Sequence, residues 1–297
     1  MRFLGLSAFP ITPADQEGRV DAAGVRRLVR RLVAAGVDSI GLLGSTGAAP
    51  YLSRDERRRT IEAALHEAGG ASPVMVGIGA LRTGEAAHLA RDAAASGAAA
   101  LLLAPVSYIP LTEEEVFRHF ATVAAATDLP LCIYDNPGTT RFTFSPALIG
   151  RLSGVGRIAA LKAPAPPPAA MPAVLADLRT RVPAGFSIGA SVDALAAEAL
   201  LAGYDAWYSV LAGVLPELCV PIAAAARAGD AVTARARHAA LAPLWELFAE
   251  FSSIRVVHTI VTQLGLGQVA PPLPLLPLGG GAASRLAAAV ERLLQPA

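Results

Sequence analysis

Lysine is almost missing from this chain. Its 297 residues include 25 Lys+Arg, and only position 162 is lysine; the remaining 24 are arginine. Cysteine is nearly as scarce. Two residues cannot build a disulfide framework, and such usage fits a reducing compartment, so the expectation is a cytoplasmic protein. Cys132 lies in the apolar run Leu131–Tyr134 and Cys219 in a predicted helix, which reads as two buried thiols. Charge is sparse as well, at 16% with a formal net charge of +1. No long-range field draws nucleic acid or an anionic membrane to it. Long unbroken apolar runs are also lacking. The charge-free stretches 93–112 and 256–284 are interrupted by Gly97, Pro105 and Pro110, and by Pro271, Pro272, Pro274 and Pro277, a pattern that argues against a membrane span. The apolar start is cut short at Pro10 and reads as a strand, not a leader.

What the chain does have is apolar material, 54% of its residues, laid out as short β-type runs alternating with longer helical patterns. Strands are predicted at Leu4–Thr12, Ser39–Leu43, Val74–Ile78, Ala100–Ala104, Leu131–Tyr134, Ile158–Lys162, Phe186–Gly189 and Ala206–Val210. Most are nearly continuous apolar runs, the mark of parallel strands covered on both faces. Asp21, Thr83 and Thr112 are predicted N-caps, and Ser53-Arg54-Asp55-Glu56 has the capping-box pattern. A doubly wound open sheet is the structural rival, but no glycine-rich turn follows the first strand, and Gly77-Ile78-Gly79-Ala80 is only a fragment of one. Eight β-then-α units in succession predict an α/β fold of the (β/α)8 TIM-barrel kind, over residues 1–228, carrying the active site. Residues 229–297 read as a helical extension packed on that barrel: helical from Asp230 to about Leu264, then a Pro/Gly-rich connection, then an amphipathic helix over Ser284–Leu294.

A composition that uses arginine for every other cation leaves the single lysine in need of a reason. Arg157-Ile158-Ala159-Ala160-Leu161-Lys162 is an apolar strand with the amine at its C-terminal end, and in such barrels those ends form the active-site face. An amine can lose its proton and attack a carbonyl, whereas a guanidinium stays charged; apolar surroundings favour the neutral, nucleophilic amine. Imine formation also needs a proton shuttle. Tyr134 ends the preceding strand, and adjacent barrel strands end side by side, so Tyr134 and Lys162 are expected to meet. The second strand runs into Gly44-Ser45-Thr46-Gly47, where small residues free backbone N–H groups and two hydroxyls add donors, a place for a carboxylate.

These three pieces, with Phe9-Pro10-Ile11-Thr12-Pro13, Leu52-Ser53-Arg54-Asp55-Glu56-Arg57 and Asp128-Leu129-Pro130, resemble the dihydrodipicolinate synthase / N-acetylneuraminate lyase family over nearly the whole chain. The resemblance implies a class I aldolase barrel with a helical C-terminal extension, commonly tetrameric, with no metal or organic cofactor. It implies that Lys162 forms the Schiff base, that Tyr134 shuttles protons, and that Ser45 and Thr46 hold the keto-acid carboxylate. Thr46 is further implied to act with the catalytic pair through a hydrogen bond to the tyrosine, and Gly189 and Tyr208 to line the pocket. The partners implied are a small 2-keto acid such as pyruvate and further copies of the chain, as dimer or tetramer.

Several positions depart from the family pattern. Ala48 stands where a Glu is usual, and Ala163-Pro164 follows the lysine where the family often has Glu. Thr139 stands where the synthases carry the Arg that grips the aldehyde substrate's carboxylate, with Arg141 two residues later. Ser107 falls where a second tyrosine reaches across a subunit interface, and Tyr108 is one residue late. The imine machinery is thus retained while the acceptor-recognition residues are not.

Two rival classes are open to weighing. A metal-dependent lyase or hydrolase needs converging ligands at strand ends, but His66, His88, His119, His238 and His258 all fall in predicted helices without a neighbour at ligand spacing. The alternative is a non-catalytic member of the same fold that binds a keto acid or sugar acid, or regulates a partner; binding alone requires neither Lys162 nor Tyr134.

Overall fold

The computed structural model describes residues 3–267 and 269–295. The strands are β1 (Gly5–Ala8), β2 (Ser39–Leu42), β3 (Val74–Gly77), β4 (Ala100–Leu103), β5 (Leu131–Tyr134), β6 (Ile158–Pro164), β7 (Ser187–Ser191) and β8 (Ala206–Ser209). They pair in parallel, in sequence order, and β8 closes on β1. Around them run α1 (Ala22–Ala35), α2 (Arg54–Ala68), α3 (Thr83–Ser96), α4 (Glu113–Ala124), the single turn α5 (Pro137–Thr140), α6 (Pro146–Ser153), α7 (Met171–Arg181), α8 (Ala196–Leu201) and α9 (Pro216–Arg227). Helices α10 (Ala231–Ala240), α11 (Ala242–Phe251), α12 (Ser253–Gln263) and α13 (Gly280–Leu294) follow. This is the (β/α)8 barrel expected of the sequence.

Alternation along each strand sorts the core into two parts. Outward residues such as Leu6, Ile40, Val76, Leu101, Ile133, Leu161, Ile188 and Trp207 meet the helices in one apolar shell. Inward residues form a second, smaller cluster: Phe9, Met75, Leu102, Cys132, Tyr134, Ala160 and Tyr208. Small residues share that interior with a few large rings, and the barrel is filled from within.

The strand limits differ from the sequence reading where prolines and partners decide them. β1 is shorter than expected: Phe9 still donates to the Ser209 carbonyl at 2.8 Å, but Pro10 has no N–H with which to continue the ladder. β6 and β7 run longer because each supplies partners for the other, Ala163 with Ala190 and Pro164 with Ser191. Lys162 therefore stands two residues inside its strand.

Capping also redistributes. Thr112 closes a full capping box with Glu115. Ser53 accepts from Glu56 N at 3.3 Å, but the Glu56 carboxylate takes the Val20 N–H at 2.7 Å, fastening α2 to the segment before α1. Asp21 precedes α1 without capping it; its carboxylate pairs with Arg27 at 3.1 Å. Thr83 lies one residue inside α3, after Arg82, and its hydroxyl meets His119 Nδ1 at 2.9 Å.

One buried carboxylate ties the strand ends to the later helices. Asp193, after β7, accepts from Trp207 Nε1 at 2.7 Å, Val210 N at 3.1 Å and Leu211 N at 3.0 Å. His238 on α10 donates through Nε2 to the Asp193 carbonyl at 2.8 Å and stacks on Trp245 of α11. Among the described residues no helix is long and apolar enough to cross a membrane.

Candidate active site

The register of β5 and β6 sets Tyr134 and Lys162 directly opposite each other. Both side chains point into the barrel, and Lys162 is 4% exposed. Its Nζ lies 3.6 Å from the centroid of the Phe9 ring, 4.3 Å from that of Tyr134 and 5.7 Å from that of Tyr208. Among the described residues no carboxylate pairs with it. The amine is thus walled by ring faces and closed to bulk water, with no structural ion pair among the described residues.

The Tyr134 hydroxyl sits in a small polar cluster. Asn136 Nδ2 donates to it at 2.9 Å and to Ser45 Oγ at 3.1 Å, and Ser45 Oγ lies 3.2 Å from Tyr134 OH. The hydrogen bond expected between Thr46 and the tyrosine is thus made by Ser45, because the turn after β2 presents Ser45 toward β5. Thr46 is buried beside it. Sequence reasoning gave Asn136 no role; its one signal was its place two residues after the tyrosine, which returns it to the same side of the chain.

That turn is held under tension. Leu43 and Ala48 flank it with φ of 56° and 51°, left-handed backbone that side chains with a Cβ rarely adopt. The Ala48 N–H closes onto the Ser45 carbonyl at 3.1 Å. Among the described residues no backbone acceptor takes the N–H groups of Thr46 and Gly47, which leaves them, with the two hydroxyls, as donors for an anion.

Below the amine the barrel is solid. The Tyr208 ring meets Phe9 edge-on, with centroids 6.0 Å apart, and its hydroxyl lies 3.7 Å from Cys132 Sγ, one inward layer beneath Tyr134. Burial pushes the Tyr208 phenol well above its ordinary range and the Cys132 thiol up to about 12. Both keep their protons, and Cys132 is no nucleophile. Gly189 makes room for that ring: a Cβ there would lie 2.4 Å from Tyr208 Cε2.

Two further candidates stand apart from this cluster. Tyr108 is 91% exposed. Arg141 is exposed with φ of 56° at the end of α5, and pairs with no carboxylate among the described residues. Nor, among the described residues, do three His, Cys, Asp or Glu side chains converge as a metal site.

A closed parallel barrel with its lone lysine facing a tyrosine across one strand pair defines an aldolase-type lyase of the Schiff-base class. The comparisons with known proteins narrow this. Residues 2–293 match the model of the Dihydrodipicolinate synthetase family. The chain is 37% identical over 265 residues to a 4-hydroxy-tetrahydrodipicolinate synthase of Methylococcus capsulatus, with 89% of each covered. Among solved structures, a dihydrodipicolinate synthase of Agrobacterium tumefaciens superposes with a TM-score of 0.96 at 53% identity, covering 98% of both chains. One from Aquifex aeolicus does so with a TM-score of 0.90 at 29% identity, again over 98% of each. The chain belongs to the dihydrodipicolinate synthetase family.

Proposed function

We propose that Lys162 Nζ forms an imine with C2 of pyruvate or a closely related 2-keto acid, and that the resulting enamine adds to, or is released from, a second carbonyl compound. In this reading the amine attacks the ketone carbon, and the carbinolamine loses water as Tyr134 delivers a proton to the departing oxygen. Ser45 and Asn136 hold the phenol in place, and the Ser45 hydroxyl extends the proton path. The Thr46 and Gly47 N–H groups, with the Ser45 and Thr46 hydroxyls, receive the keto-acid carboxylate. Deprotonation at C3 yields the enamine, whose C3 forms the new carbon–carbon bond. The observation that carries the reading is the register of Tyr134 on Lys162, with the amine buried among rings and without a counter-ion.

The acceptor is where this chain parts from the synthases it resembles. Thr139 offers no cation to an aldehyde carboxylate, so a neutral aldehyde suits the mouth better. Exposed Leu81, Tyr108 and Ile109, on the loops after β3 and β4, offer apolar surface to a second copy of the chain. We place the chemistry on the barrel of residues 1–228, with residues 229–297 as its helical buttress, and the protein in the cytoplasm, where its two free thiols stay reduced.

Intact-mass spectrometry after incubation with pyruvate and borohydride tests the reading. The expected result is one reduced adduct per chain, absent in Lys162→Ala and Lys162→Arg. An adduct that persists in both variants removes Lys162 from the chemistry. Reversible pyruvate binding with no trapped adduct makes the protein a keto-acid binder instead.

A further inference from the structure

A crevice of about 390 Å³ opens on the far side of the strands that carry the catalytic pair, between the outer faces of β6 and β7 and helices α6 and α7. Its floor is buried and mostly apolar, formed by Phe144, Ile149, Leu161, Leu178 and Ile188; its rim is exposed at Pro146, Pro164, Val174 and Asp177. Volumes of this size accommodate small organic ligands.

The floor also holds a carboxyl. Asp135 is 7% exposed and lines the crevice, and its Oδ1 has no hydrogen-bond partner. A buried carboxylate oxygen left unsatisfied is costly; the carboxyl's one partner among the described residues is the Phe144 backbone N–H, and the Asp135 backbone, not its side chain, donates to the Lys162 carbonyl. Burial pushes this carboxyl up to about 6, as expected where no cation stands nearby. The other polar groups of the lining are the Tyr204 phenol and the Asp177 carboxylate, which Arg181 already grips at 2.7 and 2.9 Å. Two acids, one phenol and an apolar wall select against any ligand that carries its own carboxylate.

We propose that this crevice is a second ligand site for a small organic amine, its ammonium group drawn to the Asp135 carboxylate and its hydrocarbon body laid against Ile149, Leu161, Leu178 and Ile188. The site stands back to back with the lysine. Tyr134 and Lys162 face inward where Asp135, Leu161 and Ala163 face outward on the same two strands. An occupant therefore bears directly on the backbone that positions the catalytic side chains.

The test uses the full chain with methyl-labelled Ile, Leu and Val, titrated with benzylamine and isopentylamine at pH 8, with benzyl alcohol as the uncharged counterpart. The amines are expected to shift the Ile149, Val174 and Ile188 methyl signals. Asp135→Asn, which keeps shape and removes charge, should weaken binding about tenfold or more. Val174→Trp, a rim change away from the core, should block it. Absence of amine binding overturns the proposal. So do equal affinities for benzyl alcohol and benzylamine, an affinity unchanged by Asp135→Asn, or shifts confined to the barrel mouth.

Discussion

Replacing Gly77 by alanine should disable the site from a distance, through backbone contact alone. A Cβ at Gly77 would lie 2.0 Å from the Leu43 carbonyl oxygen, 2.6 Å from its carbon and 3.2 Å from Gly44 N. Ordinary contact for such atoms is about 3.5 Å, so the Leu43 carbonyl must retreat by roughly 1 Å or more. Gly77 cannot yield instead, because it is locked in register with Leu102 of β4. Leu43 already holds a positive φ, so its peptide has little freedom to rotate away. The whole turn must move, and Ser45 rides on it. A 1 Å excursion takes Ser45 Oγ from 3.2 Å to beyond hydrogen-bond reach of the Tyr134 hydroxyl. Overpacking of this kind costs about 1–3 kcal/mol, a fall in Tm of several degrees for a domain of this size. A misplacement of this order costs about 10²-fold in rate. The assay is the rate of borohydride trapping with pyruvate, alongside thermal unfolding. Gly79→Ala is the control: its Cβ meets the Val106 Cγ2 methyl at 3.1 Å and a carbonyl only at 3.5 Å, contacts a side chain relieves, so loss should stay under about 1 kcal/mol. A Gly77→Ala protein that melts and traps pyruvate like the wild type would refute the argument.

Other perturbations test the remaining contacts. Tyr134→Phe should lower turnover about 10²-fold or more while Lys162 remains trappable; near-normal turnover dismisses the phenol as proton carrier. Asp193→Ala should destabilise by about 2–4 kcal/mol in chemical denaturation, because it strands the Trp207 indole N–H and two backbone amides; a loss under about 0.5 kcal/mol argues that the network is slack. Asp135 titrates near 6 in the fold against an ordinary value of 3.8. The native state thus keeps a proton that the unfolded chain has shed, and this group's contribution falls as pH rises from about 4 to 6, then stays level. The stability of Asp135→Asn relative to wild type should accordingly improve by about 1–3 kcal/mol between pH 4 and pH 7; a constant difference across that range contradicts the assignment.

The barrel was legible because nearly every strand is an apolar run and helical patterns follow the runs, two of them opened by the caps Ser53 and Thr112. Lys162 was legible for a compositional reason: a residue type used once, at a strand end, stands out without any structure. Tyr134 followed from adjacency, since consecutive parallel strands end together. Side-chain direction within the Gly44–Gly47 turn was not readable, because Leu43 and Ala48 take left-handed backbone conformations that no local preference announces. The family resemblance implied that Thr46 reaches the tyrosine, whereas Ser45 does. Phe9 was legible as part of a strand but not as the ring beneath the amine, because that contact spans the barrel and depends on how eight strands close. The caps divide on the same ground. Thr112 and Glu115 satisfy each other locally, whereas Glu56 abandons its own helix for a distant amide that only the tertiary fold brings near.

The filled interior beneath Lys162 has a kinetic corollary. Phe9, Cys132 and Tyr208 stop the barrel like a cork beneath the amine, so a reactant reaches it from the side on which the strands end. In the proposed chemistry the keto acid that condenses with the amine must therefore enter before the second reactant. A bulky second reactant that arrives early blocks the corridor, and rate against its concentration should pass through a maximum that extra keto acid shifts upward.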